Sequence, residues 1–139
     1  MVLHSQSQRD SDNIVSVIVI DDDRDTVSVL SEFLQIKGMK VVGKGHDGME
    51  AVEIYQKLRP DIVFLDVMME RYDGFYALEK IREIQPDAIV IMVTADMTKA
   101  THARLSELNA SAIINKPYNI NEIMYTINKL SPLRIECLD

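Results

Sequence analysis

The 139 residues carry a formal charge of −7, with 47% apolar and 6% aromatic side chains. That length suits one domain with a substantial core, and the acidic balance argues against non-specific nucleic-acid binding and against an anionic membrane surface. The single cysteine, Cys137, fits a reducing compartment, and no apolar run has signal-peptide or membrane-span length, so a cytoplasmic protein is expected.

Residues 1–13 are polar and of mixed charge and read as a flexible arm. A first strand is expected over 15–20, followed by a helix to about Lys37. That helix carries Val27, Leu30, Phe33 and Leu34 on one face and stops at Gly38. A short strand over 40–43 leads to a second helix that starts near Asp47, with Glu50 three residues on as in a capping box, and ends before Pro60. Pro60-Asp61 feeds a third strand. Pro86-Asp87 repeats the device, ending a helix that carries Phe75, Leu78 and Ile81 and starting a fourth strand. Asp73-Gly74 reads as the turn that opens that third helix.

A fourth helix is expected over 97–108, with Asn109 as its left-handed stop. After the fifth strand and Lys116-Pro117, Asn119 and Glu122 can cap a last helix whose apolar stripe is Ile120, Ile123, Met124, Ile127 and Leu130. The organisation is then an arm (1–13), one domain (14–131) and a short tail (132–139), with no linker or second domain in view. The strands are short and rich in β-branched residues, without polar alternation, as buried parallel strands are. Right-handed crossovers would put helices on both faces, giving an α/β fold: a doubly wound five-stranded parallel sheet with five helices.

Four strand ends carry the chemistry. The run Asp21-Asp22-Asp23 follows the first strand, Asp66 the third, Thr94 the fourth and Lys116 the fifth. Open parallel sheets gather such residues in one crevice beyond the carboxyl ends of the strands. Two carboxylates ~4 Å apart repel by ~4 kcal/mol at an effective dielectric near 20 and call for a cation. Hard oxygens with room for water suit Mg²⁺. With an ammonium and a hydroxyl beside them, the set describes a phosphoryl site in which one carboxylate is the nucleophile. Asp66 stands alone and is the best nucleophile, while Asp21 and Asp22 form the pair a metal wants. An acidic run is also how a solvated helix start looks, and Lys116 and Thr94 taken singly are ordinary surface and strand-end residues. The eight methionines read as core filler, Tyr118 as packing, and His4, His46 and His102 as surface residues without metal-ligand spacing.

Val-Ile-Asp-Asp, then Phe-Leu-Asp-Val-Met-Met-x-x-x-Asp-Gly, then Val-Thr-Ala and Lys-Pro-Tyr resemble, in that order and spacing, the receiver domain of two-component response regulators, from about Val15 to Leu130. The resemblance implies a flavodoxin-like receiver fold and a phosphorylation-dependent switch rather than an enzyme. Asp66 would accept a phosphoryl group from a histidine kinase or phosphotransfer protein. Mg²⁺ would be bound by Asp22, by Asp21 mostly through water, by Asp66 and by the backbone carbonyl of Met68. Thr94 would bond a phosphoryl oxygen and move to do so. Lys116 would pair with Asp66 or its phosphate, before a peptide bond that is commonly cis in the family. Met68 and Asp96 stand where the family tunes autodephosphorylation. A downstream protein would bind the face made by the fourth helix, fifth strand and fifth helix, on a monomer or weak dimer.

Two positions depart from the family pattern. Glu70 replaces the usual proline four residues after the acceptor, and Ile113 replaces the usual aromatic three before the lysine. Ile113 puts the aromatic half of the switch in question and keeps a phosphorelay intermediate or phosphate sink as alternatives. A degenerate receiver acting without phosphorylation is disfavoured by the complete set of site residues. A Mg²⁺-dependent aspartyl-phosphate phosphatase is disfavoured too, because Met68 occupies the position of its general acid and there is no room for a cap domain.

Overall fold

A computed structural model of the chain describes residues 14–130; the expected arm, tail and Cys137 lie outside them. The strands are β1 (Ser16–Ile20), β2 (Lys40–Gly45), β3 (Ile62–Asp66), β4 (Ile89–Thr94) and β5 (Ala112–Asn115). The helices are α1 (Arg24–Ile36), α2 (Gly48–Leu58), α3 (Gly74–Ile84), α4 (Lys99–Glu107) and α5 (Ile120–Leu130). All strand pairs are parallel, in the order β2-β1-β3-β4-β5.

Alternate residues of each strand enter different cores, which is why the strands show no polar alternation. Ile18, Ile20, Val63, Leu65, Val90 and Met92 pack with α2, α3 and Leu105 of α4. Val17, Val19, Ile62, Phe64, Ile91 and Val93 pack with Val27, Leu30 and Leu34 of α1 and Ile123 and Ile127 of α5.

The expected caps form. Asp47 accepts from Glu50 N, Asp73 from Tyr76 N and Asn119 from Glu122 N, each through the side chain. Asn109 is left-handed, with φ 61°, and Gly38 has φ 92°. α2 ends before Pro60 as expected, on Arg59 in a left-handed turn, φ 43°. Other expectations need correction. α4 begins later than expected because Thr98 caps it by accepting from Thr101 N. Glu50 reaches back to His46 N rather than to Asp47 N. On α1 the inward position next to Leu34 is Ser31, while Phe33 is 41% exposed, since the sheet accepts only a narrow stripe of this helix. Met39, Met69 and Met92 are core residues as expected, but Met49, Met68 and Met97 are exposed.

Candidate functional site

β1 and β3 are neighbours, yet the chain leaves β1 for β2 at one edge and β3 for β4 on the other side. Their following loops diverge and open a crevice, the switch point where open α/β sheets bind ligands. The acidic run enters it with three different roles. Asp21 is 4% exposed and pairs with Lys116. Asp22 is exposed. Asp23 caps α1, accepting from Asp25 N at 3.2 Å and from the Thr26 hydroxyl at 2.7 Å. The Thr26 bond holds the Asp23 carboxyl below its ordinary range.

Asp66 ends β3 at 5% exposure. Carboxylate oxygens of Asp21, Asp22 and Asp66 all lie within 4.8 Å of one another. Lys116 leaves the edge strand β5 and its long stem crosses the end of the sheet. Its Nζ stands 2.8 Å from Asp21 Oδ2 and 3.5 Å from Asp66 Oδ1, so the shorter ion pair is with Asp21. Its backbone N–H donates to Thr94 O at 2.8 Å, and Lys116-Pro117 is cis.

These surroundings set the acidities. Burial, reinforced by the negative charge of Asp21, pushes Asp66 up to about 6, against the opposing pull of Lys116. Burial works against the Lys116 charge, but its hydrogen bond to Asp21 and the charges of Asp66 and Asp21 outweigh it and hold the ammonium above its ordinary range. The pocket therefore holds more negative charge than its one ammonium neutralises.

Thr94 is fully buried at the end of β4 and its Oγ1 accepts from Asp96 N at 2.9 Å. The Asp96 carboxylate is turned onto the start of α4, accepting from Thr98 N at 2.9 Å and from the Thr101 hydroxyl at 2.5 Å. Met68 has a 60% exposed side chain in the loop 67–73. That loop is tied at both ends: Val67 N donates to Val93 O and Gly74 N to Val67 O. Gly74 is required here, because any Cβ would collide with the backbone carbonyl of Asp66. Glu70 is exposed and Ile113 is half-buried against the core shared with α3 and α4.

Sequence reasoning missed three features. An apolar groove of about 870 Å³ runs between α1 and the β5–α5 loop, lined by Val29, Leu30, Phe33, Pro117, Tyr118 and Ile120, and it reaches Lys116. The Nε2 of His102 is buried without a hydrogen-bond partner. His46 is a contact of the site itself, with Nδ1 3.0 Å from the Asp21 carbonyl. A lone histidine next to a glycine-flanked loop carries no periodic or motif signal, so only the fold brings it to β1.

The family model described as "Response regulator receiver domain" matches residues 17–128. The chain belongs to that family and is a receiver domain of two-component response regulators. Chemotaxis protein CheY of Thermotoga maritima is 31% identical over 115 residues, covering 83% of this chain and 96% of that protein. Transcriptional regulatory protein PdtaR of Mycobacterium tuberculosis is 32% identical over 111 residues, 80% of this chain, but the match spans only 54% of PdtaR. Among solved structures, the CheX-CheY-BeF3-Mg complex of Borrelia burgdorferi contains a chain that superposes with a TM-score of 0.80 at 28% identity, over 84% of this chain and 88% of that one. Receivers are phosphoacceptor signalling proteins that bind Mg²⁺ through acidic residues and interact with histidine kinases and downstream targets. Among the described residues no helix is long and apolar enough to cross a membrane.

Proposed function

We propose that Asp66 of this chain accepts a phosphoryl group from a histidine kinase or phosphotransfer protein, and that the phosphorylated form alters a partner-binding surface. The observation that carries this reading is the setting of Asp66: buried at the switch point, 3.5 Å from an ammonium and clustered with two more carboxylates. In the transfer, an Asp66 oxygen forms a bond to phosphorus as the bond from phosphorus to the donor's imidazole nitrogen breaks, leaving an acyl phosphate on Asp66. Lys116 pairs with a phosphoryl oxygen and offsets the added charge. Thr94, whose hydroxyl accepts the Asp96 N–H, still has its own proton to donate to a second phosphoryl oxygen.

The donor set fits Mg²⁺: hard oxygens, excess negative charge, and one carboxylate open to solvent. Asp22, Asp66 and the Met68 carbonyl would hold the ion directly. Asp21 would act through water, in keeping with both its carboxylate oxygens being engaged, by Asp23 N and Lys116 Nζ. Bound Mg²⁺ would neutralise the pocket and stabilise charge on the phosphoryl oxygens.

Incubation with acetyl phosphate and Mg²⁺ should add about 80 Da, the mass of HPO₃, to the intact protein, and Asp66→Asn should abolish the gain. Unchanged labelling of Asp66→Asn would sink the assignment. Ile113, an aliphatic residue where receivers usually carry an aromatic ring, favours one second reading, a phosphorelay intermediate or phosphate sink.

A further inference from the structure

We propose that His46 is a positioning residue of the acidic pocket: held as its Nδ1–H tautomer, it donates to the main-chain carbonyl of Asp21 and fixes the loop between β1 and α1. The inference rests on reading Asp21, Asp22 and Asp66 as the Mg²⁺ and phosphoryl site.

Two contacts of the ring define its tautomer. Nδ1 lies 3.0 Å from Asp21 O, which only accepts. Nε2 lies 3.2 Å from Arg24 Nη1, which only donates. One arrangement satisfies both: the proton on Nδ1 and the lone pair on Nε2, the minor tautomer of a free histidine side chain. The histidine backbone is fixed as well, because His46 N donates to Glu50 Oε1 at 2.6 Å in the first turn of α2.

The bond completes the restraint of Asp21, whose every polar atom is engaged. Its N–H donates to Gly45 O at 3.1 Å, and its carbonyl accepts from His46. Oδ1 accepts from Asp23 N at 2.9 Å and Oδ2 from Lys116 Nζ at 2.8 Å. Asp21 in turn holds the ammonium that faces Asp66. His46 therefore links the start of α2 to the orientation of the acid pair and of Lys116, as outer-shell partners orient the ligands of metal sites.

The test has two arms on the full chain. Long-range ¹H–¹⁵N correlation spectra of the metal-free protein should show His46 protonated at Nδ1 and unprotonated at Nε2, and an Nε2–H form would overturn the proposal. Calorimetric Mg²⁺ titration should show about tenfold weaker binding in His46→Gln, whose amide nitrogen falls at the Nε2 position. His46→Asn, whose amide nitrogen falls at the Nδ1 position, should recover most of that affinity. Equal affinities in the two variants would overturn the proposal. The tautomer arm stands apart from phosphorylation: persistent labelling of Asp66→Asn refutes the phosphoacceptor assignment alone, whereas an Nε2–H His46 in a protein that labels at Asp66 refutes this inference alone.

Discussion

Asp66 sits in an electrostatic conflict whose sign is testable. Its folded-state pKa of about 6 lies above the ordinary 3.8, so between those values the folded protein binds more protons than the unfolded chain. Stability contributed by protonated Asp66 is present below about pH 4 and is lost as pH rises through about 6. The shift corresponds to about 1–3 kcal/mol. Without metal, Asp66→Asn should be more stable than the wild type by about that amount at pH 7, and the gap should close toward pH 4 in urea unfolding. A gap independent of pH would show that burial and Asp21 do not hold Asp66 up. Asp22 acts in the same pocket from the exposed side. Asp22→Asn should raise the melting temperature of the metal-free protein while weakening Mg²⁺ binding. Unchanged Mg²⁺ affinity would place the ion elsewhere.

At the level of elements, helix starts organise the site. Asp23, Asp73 and Thr98 cap the helices that follow β1, β3 and β4, so each loop that bears a site residue ends on a satisfied helix terminus. The α3 start matters most to Asp66, because Gly74 packs its backbone against the Asp66 carbonyl. Asp73 accepts from Tyr76 N at 3.0 Å. Replacing Asp73 with Ala should cost about 1 kcal/mol in urea unfolding. A much smaller loss would mean that water satisfies the freed N–H groups. The far end of α4 is anchored separately: Arg82 donates to Asn109 O, Ala88 O and the Ser111 hydroxyl. No spacing in the sequence announces that clamp, because its acceptors are mostly main-chain carbonyls that meet Arg82 only when α3 packs beside the α4–β5 turn.

Across the whole molecule, the proposed switch requires a signal to travel from Asp66 to a surface. Thr94 and Asn115 are cross-strand partners, as are Met92 and Ile113, so the ends of β4 and β5 form one unit leading to α4. Ile113 is stiff at χ1 and fully apolar, so states related by its rearrangement differ less in exposed surface than those related by a swinging tyrosine. Coupling near the low end of the usual ~1–3 kcal/mol is expected. Beryllofluoride, a phosphoryl mimic, should perturb NMR signals of residues 97–116 more than those of α1. Perturbations confined to the surroundings of Asp66 would favour a relay or sink over a switch.

The sequence by itself determined the element order, the parallel sheet, most of the caps and the strand ends that bring Asp21, Asp22, Asp66 and Lys116 together. It did so because β-branched runs, Asp and Asn caps and strand-end polar residues are local signals, and the topology of a parallel sheet brings strand ends together. Only the tertiary structure decided how the acidic run divides: Asp21 inward to Lys116, Asp22 to solvent, Asp23 to the α1 cap. It alone turned Phe33 outward into the groove beside Lys116 and carried His46 to the Asp21 carbonyl. Those outcomes depend on which neighbour occupies the space beside each residue, and adjacent residues of like type send no local signal to tell them apart.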